Sequence, residues 1–168
     1  FPTRRSSDLL KGNTIHTSGN IPGAGEVFGE FTLIAGDLTK KSLGDYQGKL
    51  VLNIFPSLDT GTCAASVRKF NEIASQRPDT TVLCISRDLP FAQNRFCGAE
   101  GLDKVVTLSD FSEGTFGKNN GLIITDGPLA GLLSRVVIVL DENRKVIHSQ
   151  QVAEVTEEPD YEAALAVL

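Results

Sequence analysis

One cysteine in this chain stands where a thiol could be turned into a nucleophile. The segment Pro56-Ser57-Leu58-Asp59-Thr60-Gly61-Thr62-Cys63 follows an apolar run and leads into Ala64, Val67, Phe70, Ile73 and Ala74 at helical spacing. A cysteine in the first turn of a helix meets unpaired backbone N–H groups and the positive end of the helix dipole, and both favour S⁻ over SH. An ordinary thiol, with a pKa of about 8.5, is mostly protonated at neutral pH, whereas such surroundings can bring the value to about 3.5–7.5. Thr60 and Thr62 carry hydroxyls short enough to cap the helix or bond the sulfur. Pro56 fixes the backbone as it leaves the strand, and Gly61 allows close backbone approach. On residue types alone, a buried free cysteine beside ordinary capping threonines stays open as the alternative.

The elements that would hold this cysteine can be read from pattern. Leu50-Val51-Leu52-Asn53-Ile54-Phe55 and Thr81-Val82-Leu83-Cys84-Ile85-Ser86 are nearly continuous apolar runs of the kind central strands show. Cys63 to Gln76 reads as a helix between them, ended at Arg77-Pro78-Asp79. Leu89 to Cys97 suggests a short helix with Pro90 near its start, where a missing N–H is harmless. Val105-Val106-Thr107-Leu108 is a short extended piece, Val136–Leu140 and Lys145–Val152 are strands around the turn Asp141–Arg144, and Asp160 to Leu168 is a closing helix. Upstream, Thr14–Thr17 and Phe31–Ile34 read as short strands or a hairpin among Gly, Pro and Ser. Strand, helix, strand, helix, antiparallel hairpin and final helix is the order of a thioredoxin-like α/β sandwich. The expected fold is therefore a central mixed sheet flanked by helices, with an N-terminal β-hairpin.

Composition narrows the function classes. The chain has 168 residues, 40% hydrophobic and 22% charged, enough for one core without disulfides or metals. A net charge of −5, a sequence pI near 5.0 and scattered basic residues argue against nucleic acid or an anionic membrane as partner. No apolar stretch approaches the roughly 18 residues of a membrane span. Three cysteines do not make the even framework of a secreted disulfide domain, so a reducing, cytoplasmic setting is expected. His16 and His148 have no zinc-ligand spacing to the cysteines, and no metal or cofactor is expected. Arg4-Arg5 precedes no apolar region of the length a signal peptide needs, and the chain contains no methionine. Residues 1–10 are therefore expected to be a non-native or disordered leader, with a single domain over 11–168. Glu154, Glu157, Glu158 and Asp160 read as a solvated acidic face and helix N-terminal charges.

Pro56, Thr60 and Cys63 reproduce the P-x-x-x-T-x-x-C pattern of peroxiredoxins. The longer strings Asn53–Phe70, Asp88-Leu89-Pro90-Phe91-Ala92-Gln93 and Arg95-Phe96-Cys97-Gly98-Ala99-Glu100-Gly101 resemble the bacterial thiol peroxidase subfamily, the atypical 2-Cys peroxiredoxins. The resemblance runs from about Gly12 to the C-terminus. It implies that Cys63 is the peroxidatic cysteine, attacking the terminal oxygen of a hydroperoxide to become a sulfenic acid. It implies that Thr60 hydrogen-bonds thiolate and peroxide, that Arg135 supports the thiolate and holds the peroxide oxygens, and that Pro56 borders the substrate. By the same resemblance Cys97 is the resolving cysteine, forming a Cys63–Cys97 disulfide that thioredoxin reduces, and the protein is a homodimer.

Residue types alone leave other readings of two of these positions. Arg135 would be a strand-end arginine paired with a carboxylate, and Cys97 a small buried hydrophobe. Cys84, inside an apolar strand, reads as core. Two other function classes fit the same fold: a general thiol-disulfide oxidoreductase, which usually presents C-x-x-C where this chain has Ser66, and a redox-sensing module. If Cys63 and Cys97 lie on separate helices, segments 59–65 and 91–99 must change order before the two can bond, because bridged Cα atoms lie within about 7 Å.

Overall fold

A computed structural model describes residues 7–168. Its strands are β1 (Ser7–Leu10), β2 (Asn13–His16), β3 (Thr32–Ala35), β4 (Lys40–Ser42), β5 (Lys49–Ile54), β6 (Thr80–Ser86), β7 (Val105–Ser109), β8 (Val136–Leu140) and β9 (Val146–Gln151). Its α-helices are α1 (Gly61–Ser75), α2 (Pro90–Glu100), α3 (Thr115–Asn119) and α4 (Tyr161–Leu165). Seven strands form one sheet in the order β4-β3-β7-β6-β5-β8-β9, and β1 and β2 form a separate hairpin. The three central strands β5, β6 and β7 are parallel, β8 and β3 flank them antiparallel, and the edge strands β9 and β4 pair antiparallel with β8 and β3. This is the mixed, thioredoxin-like sheet that the element order implies, with its N-terminal hairpin.

The central strands are apolar almost throughout because both faces of the sheet are covered. Alternate residues point to opposite faces, so β5 sends Leu50, Leu52 and Ile54 to one core and Val51 to the other. The first core is closed by Ile21, Phe28, Phe31, Phe116, Leu122 and Leu133, largely from loops. The second is closed by α1 through Val67, Phe70 and Ile73, and by α4 through Ala164, with Phe96 of α2 packed alongside. Parallel pairing of β5 with β6 and of β6 with β7 requires a crossover each time, and α1 and α2 are those crossovers. Cys63 and Cys97 are thereby placed on two helices that belong to the same side of the sheet.

Several boundaries depart from the pattern reading. Residues 14–16 pair with Ser7–Leu10 rather than with the 31–34 segment, which enters the main sheet as β3. Of the expected leader over 1–10, Ser7–Leu10 are thus part of the fold, and the rest lies outside the described residues. The strand was missed because four residues broken by Asp8 carry too little period-two signal. β4 was missed because it is an edge strand with two lysines, which sheet edges favour and apolar patterns do not show. Helix α2 runs three residues past Cys97 and stops at Gly101, whose φ of 66° few other residues adopt readily. No helix among the described residues is long and apolar enough to cross a membrane.

The α1 side of the core gives a stability test. Phe70 is 1% exposed and meets the Tyr161 ring edge-on at 5.3 Å, joining α1 to α4. Phe70→Ala is expected to lower the stability of the reduced protein by about 3–5 kcal/mol in urea denaturation, through lost burial and the cavity left behind.

Candidate active site

The loop from Pro56 to Thr60 is fixed to the end of β6 by one carboxylate. Asp88 accepts from Ser57 Oγ at 2.7 Å, from Leu58 N at 2.8 Å and from Ser86 Oγ at 2.7 Å. Thr60 is the N-cap residue of α1, with extended backbone, so Cys63 is the third residue of the helix. Its thiol is completely buried. Ser66, one turn on, donates to the Cys63 carbonyl at 2.8 Å and accepts from Asn53 Nδ2 at 3.2 Å. The position at which a C-x-x-C motif would place a second thiol is therefore a buried structural hydroxyl.

The residue that meets Cys63 comes from the opposite end of the sequence. Arg135 precedes β8, which pairs antiparallel with β5, the strand whose C-terminal end leads into the Cys63 loop. This antiparallel pairing carries the guanidinium to the sulfur. Arg135 Nη2 donates to Cys63 Sγ at 3.2 Å, Nε donates to the Val155 carbonyl at 2.8 Å, and Nη1 has no partner among the described residues. The side chain is only 2% exposed, and no ion pair among the described residues joins it to a carboxylate. A buried cation without a counter-charge is costly, and the groups that answer it here are the Cys63 sulfur and the Val155 carbonyl. The reading of Arg135 as a strand-end arginine paired with a carboxylate is excluded by this geometry.

A cavity of about 430 Å³ opens beside this pair. Pro56, Thr60, Gly61, Thr62 and Arg135 form its floor, and Leu10, Lys11, Pro128, Leu129, Val155 and Thr156 form the rest of its wall. The threonines do not do what their position in the motif suggests. Thr60 Oγ1 donates to the Ser57 carbonyl at 3.0 Å, and Thr62 Oγ1 donates to the Thr156 carbonyl at 2.8 Å. Neither hydroxyl caps α1 or donates to the sulfur. With its proton engaged, Thr60 offers lone pairs to the cavity, so it is an acceptor there. Gly61 is not demanded by packing either, since a Cβ at that position would meet no atom within 4 Å.

Cys97 lies in α2 and is half-buried, and burial pushes its thiol up. Both Cys63 and Cys97 are free thiols held in intact helices. The two helices are bridged where Arg68 donates to Glu100 and its guanidinium lies 5.9 Å from the Phe96 ring centre. Cys84 sits wholly inside the core, where burial pushes its thiol up to about 12, and Asn53 Nδ2 is 3.7 Å from its sulfur. It is core, as its strand pattern suggests.

Over residues 23–165 the sequence matches the Redoxin family. The chain belongs to that family. It is 56% identical over 160 residues to the thiol peroxidase of Corynebacterium glutamicum, covering 95% of this chain and 96% of the relative. Its fold superposes on a peroxiredoxin-like protein from Aquifex aeolicus with a TM-score of 0.91 and 35% identity, covering 98% and 96% of the two chains. A thiol peroxidase from Chromobacterium violaceum shares the fold, with a TM-score of 0.89 at 20% identity over 97% and 95%. This redoxin is an enzyme of the peroxidase class.

Sequence reasoning missed the far wall of the cavity. Leu10 and Lys11 fell in or beside the expected leader, Val155 and Thr156 in an acidic stretch read as solvated, and Pro128 and Leu129 in a loop. The Leu9-Leu10 pair next to Lys11-Gly12, a two-residue turn between short apolar pieces, was the available signal.

Two reactivity measurements check this site. Arg135→Ala is expected to slow alkylation of Cys63 by iodoacetamide at pH 7 by about tenfold, with Arg135→Lys recovering part of the rate. In the native protein at pH 8, Cys84 is expected to stay unmodified in the same experiment, read by peptide mass spectrometry, because a thiol titrating near 12 is protonated throughout that range.

Proposed function

We propose that this redoxin reduces hydrogen peroxide and organic hydroperoxides through Cys63, resolves the product with Cys97, and is recycled by thioredoxin. The observation that carries the reading is the Arg135 contact with Cys63 Sγ beside a cavity, with one guanidinium nitrogen still unpartnered. In the first step the Cys63 thiolate attacks the terminal oxygen of ROOH. The S–O bond forms as the O–O bond breaks, sulfur is oxidised to S–OH, and RO⁻ leaves to take a proton and become ROH. Arg135 Nη1 is free to donate to the peroxide oxygens, and Thr60 can accept the peroxide O–H. Pro56 borders the bound oxygens from the loop. Stabilising the departing oxyanion with fixed donors needs no histidine base.

In the second step the Cys97 thiol condenses with the sulfenic acid, giving a Cys63–Cys97 disulfide and water. Two intact helices and a half-buried, raised Cys97 thiol make a loosening of segments 59–65 and 91–99 part of this step. Two electrons and two protons from the thioredoxin dithiol then restore both thiols. A homodimer in the cytoplasm completes the reading, and an odd count of three cysteines fits a reducing compartment. The general oxidoreductase alternative is disfavoured by Ser66, whose hydroxyl is committed to the Cys63 carbonyl.

Turnover of cumene hydroperoxide coupled to thioredoxin, thioredoxin reductase and NADPH is the direct test. Cys63→Ser is expected to abolish it. Cys97→Ser is expected to retain one round of oxidation while losing recycling, with sulfenic acid trapped by dimedone. Reduction of insulin disulfides without peroxide consumption would favour the oxidoreductase instead.

A further inference from the structure

The turn joining β1 to β2 is held by a side chain that does not itself border the cavity. Lys11 and Gly12 form a two-residue turn between the paired Leu10 and Asn13, and both have positive φ, 49° and 82°. Turns of this kind favour Asn-Gly or Gly-Gly, so lysine at the first position is strained. The turn directs both of its N–H groups onto one carboxylate. Lys11 N donates to Glu154 Oε1 at 2.8 Å and Gly12 N donates to Oε2 at 3.1 Å. Thr156 adds its hydroxyl at 3.0 Å and its N–H at 3.4 Å to Oε1. These bonds, that from Gly12 foremost, hold the Glu154 carboxyl below the usual carboxylate range. Backbone bonds from Leu9 N to the Ala153 carbonyl and from Val155 N to the Leu9 carbonyl, both 2.8 Å, extend the attachment along β1.

We propose that Glu154 is a positioning residue for substrate specificity: its carboxylate fixes the strained Lys11–Gly12 turn so that Leu10 and Lys11 wall the cavity facing Arg135. This inference rests on the peroxidase reading above. Hydrogen peroxide is small enough to engage only the groups at Cys63, whereas a bulky organic hydroperoxide also buries apolar surface against Leu10, Leu129 and Val155. Apolar stabilisation scales with the area buried, so moving the hairpin wall weakens the bulky substrate selectively. Glu154 thereby sets how strongly the enzyme prefers organic hydroperoxides.

The test compares second-order rate constants for Cys63 oxidation by cumene hydroperoxide and by hydrogen peroxide, using rapid quench, alkylation and mass spectrometry on the reduced full chain. Glu154→Gln keeps the size of the side chain but sets an amide NH2 against a backbone N–H. The cumene-to-hydrogen peroxide ratio is expected to fall about fivefold or more, and amide exchange over residues 9–13 to accelerate about tenfold. Should that variant not fold, Glu154→Asp, with the charge kept and the reach shortened, carries the same expectation. An unchanged ratio in an active enzyme overturns the proposal, as does a parallel fall in both constants, which would place the effect on Arg135 and Cys63 instead. Unchanged amide exchange overturns the clamp itself. Wild-type protein that consumes neither peroxide would sink the peroxidase reading, and the specificity built on it, on separate grounds.

Discussion

A guanidinium buried against a thiol is the constraint around which this molecule is arranged. Arg135 has almost no contact with water and no carboxylate partner among the described residues, so its charge must be answered by the Val155 carbonyl and by Cys63. Desolvating a cation is expensive, and only the groups that meet it offset that cost. The contact follows from β8 lying beside β5, because antiparallel pairing brings the residue before one strand to the loop after the other.

Residues 153–156 tie the remaining parts of the site together. The Val155 carbonyl orients Arg135, the Thr156 carbonyl accepts from Thr62 in the first turn of α1, and Glu154 grips the β1–β2 turn. Asp88 plays the matching part on the other side, binding the Pro56–Thr60 loop to the end of β6, immediately before the helix that carries Cys97. Hydrogen bonds make both connections, beside the apolar packing of Leu58 in the second core and of Val155 against Ile15 and Ile124. Opening the first turn of α1 would therefore break these polar links and also withdraw Leu58 and Cys63 from the second core.

Much of this was legible beforehand, and for a definite reason. Leu50–Phe55, Thr81–Ser86 and Val136–Leu140 are buried on both faces, so burial wrote itself into continuous apolar runs. Cys63 announced itself by standing between a strand pattern and a helix pattern, and the surrounding strings carried the family resemblance to Thr60, Cys97 and Arg135. The threonine hydroxyls were misjudged because a short side chain at a helix start has several acceptors within reach, and only the folded loop chose the Ser57 and Thr156 carbonyls. Glu154 was taken for solvated charge because a carboxylate that binds backbone N–H groups leaves no periodic trace.

The sequence by itself determined the strands and crossover helices, the position of the thiol at a helix start, and the family, because these rest on local periodicity and on motifs within a few residues of one another. The tertiary structure decided what surrounds that thiol. Arg135 lies on Cys63, Leu10 and Lys11 close the cavity, and Glu154 holds them there, through contacts between segments far apart in the chain. Each of these contacts depends on strand pairing and on single hydrogen bonds, and neither is encoded in the spacing of neighbouring residues.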